Sequence, residues 1–176
     1  DLNHQIGHSY VYVIDALMGS KYPEKELEFF NRGISGNRVI ELYGRIYEDM
    51  IALKPDVVSI LVGVNDGPQA EHGRHATGAA YGAIYRMMLK ELKEACPDVK
   101  LVVMEPFIGK EGPVYDDDYE LWAECIGAYQ QEARKIAEEF DAVFVPLQEM
   151  FDRACEKRET HYWIWDGIHP TEAGHG

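Results

Sequence analysis

Short runs of almost continuous apolarity alternate in this chain with longer segments whose apolar residues recur at helical spacing. Such runs, rich in β-branched and aromatic residues, are typical of strands that are covered on both faces. Strand–helix–strand order makes neighbouring strands parallel and packs the helices against the sheet. The pattern therefore predicts an α/β fold, a three-layer α/β/α sandwich around a doubly wound parallel sheet. The predicted strands are residues 27–31, 57–62, 101–104 and 142–145.

The segments between these runs predict helices, because their apolar residues fall on every third or fourth position. The 176 residues contain no repeat, low-complexity tract or linker, so we expect a single domain over residues 1–176. The predicted helices are residues 10–17, 121–140 and 147–155, one marked by Val39, Leu42, Ile46 and Met50, and one marked by Tyr81, Ile84, Met88 and Leu92.

The net charge of the chain argues against two classes of partner. Lys and Arg together number 17 against 31 Asp and Glu, a formal net charge of −14. A surface this acidic repels phosphate groups, which argues against nucleic acid and anionic membranes as partners. No apolar run approaches the ~20 residues of a membrane helix. The 3 cysteines are an odd number, which favours free thiols in a reducing compartment such as the cytoplasm.

Ligands of a doubly wound sheet bind off the carboxyl ends of the strands, so the loops at those ends are the places to search for chemistry. Residues 31–37, with the sequence NRGISGN, lead from a predicted strand into a predicted helix. Glycines at such a turn let the backbone approach a ligand, and N–H groups at a helix start stabilise negative charge. A tight turn with Asn37 as the helix N-cap explains the same residues equally well.

The next predicted strand ends in the sequence GVND, residues 63–66. The side-chain amide of Asn65 could donate a hydrogen bond to an oxyanion, and one such donor is worth about 3–4 kcal/mol in a transition state. An Asn-Asp turn that caps a helix is the alternative explanation. Farther along, Asp116 to Asp118 are predicted to be a solvated charge run that caps the next helix, and no metal site is expected there.

Residues 163–171, with the sequence WIWDGIHPT, form the most specific segment of the chain. Asp166 and His169 are separated by three positions, and Gly167 and Pro170 favour a tight loop. This spacing lets a carboxylate fix the tautomer of the imidazole and leaves the other ring nitrogen free as a base. A purely structural Asp–His pair stays open, and so does a metal site with His161 or His175 nearby.

Taken together and in this order, these three segments resemble the SGNH hydrolases, also called the GDSL esterase/lipase family. NRGISGN looks like the second block of the family, in which Gly36 matches a glycine whose N–H serves the oxyanion hole. GVND looks like the third block, in which Asn65 matches the oxyanion-hole asparagine. WDGIHPT looks like the fifth block, in which Asp166 and His169 match the acid and base of the catalytic triad. The resemblance implies a flavodoxin-like sheet and needs no cofactor and no metal.

The serine nucleophile that the resemblance implies belongs to a Gly-Asp-Ser block after the first strand, and none of the four serines here has that context. Those serines are Ser9, Ser20, Ser35 and Ser59. In the strand order 2-1-3-4-5 that the resemblance implies, the strand before the nucleophile lies inside the sheet. A chain without it would leave interior backbone groups unpaired. We therefore expect a longer parent chain, trimmed at both ends, with the nucleophile upstream of Asp1.

The resemblance implies a serine esterase that hydrolyses small esters, and O-acetyl groups on carbohydrate are a plausible substrate class. Trp165 and Phe107 are the predicted substrate contacts, because aromatic faces stack on sugar rings and on short acyl chains alike. Two other readings stay open. One is a flavodoxin-like binding module without catalysis, and the other is a metal-dependent hydrolase that uses Asp166, His169 and His175. The sequence does not indicate an oligomeric state.

Overall fold

A three-stranded parallel sheet forms the centre of the fold. The structure, a computed structural model, describes residues 6–68, 75–116 and 118–176. Strands β1 (Val57–Leu61), β2 (Lys100–Met104) and β3 (Val143–Val145) lie side by side in the order β1-β2-β3. Ser59 pairs with Val102, which in turn pairs with Val143. The predicted runs 57–62, 101–104 and 142–145 are therefore confirmed as strands to within one residue at each end.

Helices of very different lengths surround the sheet, and two of them are long. Single turns of 3-10 helix occur at Pro23–Lys25, Ile51–Leu53 and Val64–Asp66. In the part of the chain that the structure describes, no helix is both long and apolar enough to cross a bilayer. The helices are α1 (Tyr10–Lys21), α2 (Val39–Gly44), α3 (Ile46–Asp49), α4 (Gly78–Ala95), α5 (Gly112–Asp116), α6 (Tyr119–Glu139), α7 (Leu147–Cys155), α8 (Thr160–Trp163) and α9 (Glu172–His175).

The main core lies between one face of the sheet and the long helices α4 and α6. Successive right-handed crossovers in one direction place both of these helices on the same face. The start of α6 is capped as the sequence predicts, since Asp118 Oδ1 accepts a hydrogen bond from Leu121 N at 3.1 Å; Asp117 lies outside the described residues. Buried side chains of this core include Ile60, Leu101, Val103, Met88, Tyr129 and Ile136.

The opposite face of the sheet is much more exposed. Val57 is 59% and Val143 is 63% exposed, although both are apolar residues of the central sheet. Strands alternate their side chains between the two faces, so these valines and the core residues lie on opposite sides of the sheet. Within the described residues, the three layers of the α/β/α sandwich are thus unequally filled.

Two sequence-based predictions of secondary structure are wrong. Residues 27–31 form no strand, and Leu27 and Phe30 are exposed. A strand needs a partner for its backbone groups, and no backbone hydrogen bond joins 27–31 to another strand in the described ranges. The helix predicted from Val39 to Met50 is interrupted at Arg45, whose φ of −115° and ψ of 10° separate α2 from α3.

Candidate active site

Asp166 and His169 form a closed turn between α8 and α9. Asp166 Oδ2 lies 2.7 Å from His169 Nδ1, while Oδ1 accepts hydrogen bonds from His169 N at 2.8 Å and Ile168 N at 3.1 Å. The backbone closes the same turn through Trp165 N, which donates to His169 O at 3.1 Å. Each carboxylate oxygen therefore has its own task, Oδ1 holding the backbone and Oδ2 holding the ring. We call residues 165–169 the acid–base turn.

The hydrogen bonds within the acid–base turn keep the carboxyl group of Asp166 ionised. Partial burial raises the pKa of Asp166, but hydrogen bonds from the His169 side chain and from two backbone N–H groups outweigh burial and bring the pKa below its usual value. An ionised carboxylate only accepts, so His169 Nδ1 carries the proton of the short contact. In the neutral form of the ring this leaves Nε2 as a lone-pair acceptor, and the side chain is 57% exposed.

Trp165 covers one side of the imidazole. Its ring lies parallel to that of His169, with ring centroids 5.8 Å apart and an angle of 17° between the planes. The Trp165 side chain is nevertheless 52% exposed. It therefore offers solvent a large apolar surface directly beside the exposed base.

The acid–base turn is packed against residues 105–112, which follow β2 and which we call the β2 exit loop. Gly109 N donates to Gly167 O at 2.7 Å. Gly167 has a φ of +91°, and a β-carbon there would collide with Glu111 O and meet Val114 Cβ at 3.0 Å. A β-carbon at Gly112, φ +54°, would lie 2.8 Å from Asp166 O. Glycine at 112 and 167 thus lets the two backbones approach each other closely.

The second predicted group combines two segments, since Gly36 precedes α2 and Asn65 follows β1. Asn65 Nδ2 donates to Asn37 O at 3.1 Å, which brings the asparagine within one residue of Gly36. Gly36 has a φ of +80°, is exposed, and has no atom within 4 Å of the place where a β-carbon would lie. We call residues 31–37 together with 63–66 the oxyanion segment, after the role that the sequence predicts.

Asp66 ties the two parts of the oxyanion segment together. Its Oδ2 accepts a hydrogen bond from Val39 N at the start of α2, at 3.0 Å. The side chain is only 4% exposed, and burial raises the pKa of Asp66 to about 6. In the sequence this residue was recognised only as part of a turn, because its partner, the backbone N–H of Val39, lies far away along the chain. The observed N-cap of α2 is Arg38, one residue after the predicted Asn37.

The two halves meet through the β2 exit loop. Gly63, at the end of β1, has a φ of +134°, and a β-carbon there would meet Pro106 Cβ at 3.1 Å. The loop therefore touches the oxyanion segment at Pro106 and the acid–base turn at Gly109 and Gly112. Parallel strands bring their carboxyl ends to one edge of a sheet, so both halves lie at the edge that the fold predicts for ligands.

Phe107, the second predicted substrate contact, lies within a small core. Its side chain is 4% exposed, and its ring centroid is 4.4 Å from that of Phe151. Ile164 completes this cluster. The ring packs against Phe151 of α7 and Ile164, and a contact between Phe107 and substrate stays a prediction.

The four serines occupy other positions in the described chain. Ser59 Oγ lies 3.0 Å from Tyr10 OH, and Ser20 Oγ donates to Leu17 O. Ser9 precedes α1, and Ser35 lies in the turn before Gly36. No hydrogen bond joins any of these hydroxyls to His169 within the described residues.

The alternative of a metal site requires Asp166, His169 and His175 to converge on one ion. Within residues 6–68, 75–116 and 118–176, no group of three His, Cys, Asp or Glu side chains is arranged to hold one. His175 is partly buried, and burial lowers its pKa. The contacts of Asp166 are instead directed to its own turn.

Comparison with known proteins gives a consistent picture. A family model described as GDSL-like lipase/acylhydrolase matches residues 6–176. An acetylxylan esterase from Geobacillus stearothermophilus is 33% identical over 97% of this chain and 77% of its own length. Among solved structures, a protein described as a GDSL-like lipase, from Parabacteroides merdae, is 36% identical with a TM-score of 0.88 over 94% of this chain and 76% of its own. The hydrolase LAE5 from the metagenome of Lake Arreo is 29% identical with a TM-score of 0.82, covering 96% and 77%.

Structures of the Geobacillus esterase include three described as catalytic mutants. In these, a serine, an aspartate and a histidine have each been replaced by alanine. The aspartate and the histidine are three positions apart in that protein. Asp166 and His169 have the same separation here.

Proposed function

The chain belongs to the GDSL-like lipase/acylhydrolase family and is a carboxylic ester hydrolase, and we propose that His169 and Asp166 are the base and acid of its catalytic triad. The contact of 2.7 Å between Asp166 Oδ2 and His169 Nδ1 is the observation that carries this proposal. It orients the ring, fixes the proton on Nδ1 and stabilises the imidazolium that forms when Nε2 takes up a second proton.

In the proposed reaction, the serine hydroxyl of the family attacks the ester carbonyl while His169 Nε2 takes its proton. The tetrahedral intermediate then collapses: the C–O bond to the leaving alcohol breaks, and His169 returns the proton to that alcohol. A water molecule repeats the sequence on the acyl-enzyme, releases the acid and regenerates the hydroxyl. Asp166 stays ionised throughout, which the hydrogen bonds to its two oxygens support.

The oxyanion of both tetrahedral intermediates would be stabilised by Gly36 N–H and by the side-chain amide of Asn65. The contact between Asn65 Nδ2 and Asn37 O supports this pairing, because it brings the two donors to the same turn. The left-handed φ of Gly36 and the open space around it leave room for the substrate's carbonyl group. Preorganised donors of this kind contribute most when they point to where charge develops.

We further propose that the substrate is a small neutral ester and that the acyl group is an acetyl group on carbohydrate. The Geobacillus relative, which is described as an acetylxylan esterase, supports this substrate class. Trp165 supports it too, since its exposed ring beside His169 could stack on a sugar ring. The net charge of −14 supports a neutral substrate and argues against nucleic acid as a partner.

The experiment compares His169→Ala with His161→Ala in the full-length protein, using acetylated xylo-oligosaccharides and p-nitrophenyl acetate as substrates. His161 is a matched control because it is an exposed histidine on the neighbouring helix α8. His169→Ala is expected to lower kcat by about 10⁴-fold or more, whereas His161→Ala leaves it within about twofold. A His169→Ala enzyme that keeps a tenth of wild-type activity would rule out the assigned triad. Activity on p-nitrophenyl acetate alone would rule out the carbohydrate substrate only.

A further inference from the structure

A single carboxamide on α7 holds the loop that joins the two halves of the site. Gln148 Nε2 donates to Ile108 O at 3.0 Å, and Gln148 Oε1 accepts from Ile108 N at 3.0 Å. One side chain therefore binds both the backbone N–H and the backbone C=O of Ile108. We propose that Gln148 is a positioning residue, which sets the distance between the oxyanion segment and the acid–base turn; this inference rests on the proposed function.

Gln148 is itself fixed by three further hydrogen bonds, two at its carboxamide and one at its backbone. Its Oε1 accepts a second hydrogen bond from Gln130 Nε2 at 3.2 Å, and its Nε2 donates a second one to Asp152 Oδ1 at 3.0 Å. Its backbone N donates to Glu105 Oε2 at 3.0 Å. The side chain thus makes four hydrogen bonds, two accepted by Oε1 and two donated by Nε2. Exchanging the oxygen and the nitrogen would break all four, so these bonds fix the orientation of the amide.

The loop that Gln148 holds contacts both halves of the site within four residues, 106 to 109. Pro106 lies against Gly63 of the oxyanion segment, and Gly109 N–H binds Gly167 O of the acid–base turn. Ile108, the residue held by Gln148, lies between these two contacts. Gln130 Nε2 adds a hydrogen bond to Pro106 O at 3.0 Å, so the carbonyl beside the first contact is also fixed.

Other side chains cannot replace this arrangement. A primary amide offers a donor and an acceptor side by side, which a carboxylate or an aliphatic chain lacks. Gln148→Glu would place a negative charge against Ile108 O and the carboxylate of Asp152. Gln148→Leu would leave the N–H and the C=O of Ile108, a residue that is 4% exposed, without their partner.

A shift of the loop moves the base and the oxyanion donors relative to each other. A misplacement of about 1 Å costs on the order of 10²-fold in rate, even when it arises outside the reacting groups. The effect should appear in kcat and not in KM, because the transition state depends on the distance between base and oxyanion more than the bound substrate does.

The test measures kcat and KM for Gln148→Leu and Gln148→Glu in the full-length protein, with p-nitrophenyl acetate as substrate. Gln131→Leu is the matched control, since Gln131 is an exposed glutamine on α6 next to Gln130. Both Gln148 variants are expected to lose about 10- to 100-fold in kcat with KM within about threefold. Gln131→Leu is expected to stay within about twofold of wild type. Near-UV circular dichroism establishes that each variant is folded at the assay temperature.

A second arm combines each Gln148 variant with His169→Ala. A positioning residue that acts through His169 has little left to position in that background, so its effect on the residual rate should fall to about threefold or less. A general loss of folded protein would lower both backgrounds equally and would overturn the proposal. So would folded Gln148 variants with wild-type kcat. Should His169→Ala itself remain active, the assigned triad is wrong and the inference about Gln148 falls with it.

Discussion

The acid–base turn and the oxyanion segment are built by opposite means. The first is a local structure in which five consecutive residues supply the acid, the base and the hydrogen bonds that hold them. The second is assembled over long distances: Asn65 contacts Asn37, and Asp66 contacts Val39, 27 or more positions away along the chain. The first is packed on a neighbouring loop, whereas Gly36 of the second lies in open space.

Because of this difference, the two halves of the site should respond differently to substitution. A local turn keeps its geometry as long as its own residues and the β2 exit loop are intact. An assembled segment depends on the relative placement of a strand end and a helix start, so it responds to remote changes in packing. Substitutions in the two halves should therefore differ in kind as well as in size.

The largest expected effect comes from Asp166→Asn. The asparagine oxygen can still accept the N–H groups of Ile168 and His169, but its amide group would face His169 Nδ1 and favour the wrong tautomer. The turn should stay closed while kcat drops by about 10⁴-fold. Steady-state kinetics with an unchanged thermal transition would establish this separation. A loss of activity accompanied by unfolding would mean that the turn is less independent than its hydrogen bonds indicate.

Asn65→Ala is expected to have the next largest effect. Loss of one oxyanion donor should lower kcat by about 10²–10³-fold with little change in KM. Asn65→Ala removes side-chain volume as well as the amide donor, so Asn65→Asp is the informative partner variant: it keeps the side-chain size but donates neither to the oxyanion nor to Asn37 O. Equal losses in both variants would assign the effect to the donor, whereas activity retained by the aspartate variant would contradict the oxyanion role.

Asp66→Asn tests the oxyanion segment through the pH dependence of the free energy of unfolding. The pKa of Asp66 is about 6 in the folded protein against an ordinary 3.8, so the folded state holds the proton more tightly than the unfolded chain. The contribution of this group to stability is therefore fully present below about pH 4 and is lost as the pH rises through about 6, by roughly 3 kcal/mol. Asparagine does not titrate and still accepts from Val39 N.

Urea unfolding at several pH values measures this contribution as the difference between wild type and Asp66→Asn. The wild type should lose stability relative to the variant between pH 4 and pH 7. The subtraction matters because burial also raises the pKa of Glu105, which titrates with the same sign. A difference that does not change with pH would show that Asp66 is not buried as a titrating group.

The smallest expected effects come from replacing two glycines with left-handed φ by alanine, one glycine in each half of the site. Gly36→Ala should cost about 1 kcal/mol for backbone strain alone, since its β-carbon meets nothing. Gly167→Ala should cost about 1–3 kcal/mol more, because its β-carbon would collide with Glu111 O. Chemical denaturation measures both. Equal costs would mean that the contact between the acid–base turn and the β2 exit loop yields easily.

The same contrast between local and long-range contacts explains which features of the structure the sequence predicted. The spacing of Asp166 and His169 was sufficient to predict a turn in which carboxylate and imidazole meet, because the interaction is local. The apolar runs of β1, β2 and β3 likewise predicted their position, because β-branched and aromatic residues favour strands even where one face of the sheet is exposed. The helices α4, α6 and α7 bury the apolar residues whose spacing predicted them, whereas α1 forms where it was predicted although none of its residues is buried.

The errors concern features that depend on a distant partner. Residues 27–31 have the composition of a strand, but composition does not provide the neighbour to which a strand must bond. The break at Arg45 depends on backbone angles that apolar spacing at Leu42 and Ile46 does not encode. Gln148 gave no signal at all, because a glutamine on an amphipathic helix is ordinary until the backbone of Ile108 is known to lie beside it.

One consequence of the Asp166 contacts concerns isotope exchange. The amide hydrogens of Ile168 and His169 are bound to a single carboxylate oxygen in a turn that is otherwise close to solvent. Amides in such a position exchange quickly with deuterium unless a specific bond protects them. Protection at these two positions therefore serves as a reporter of the assembled acid–base turn, readable by magnetic resonance in the resting protein without a substrate or a turnover.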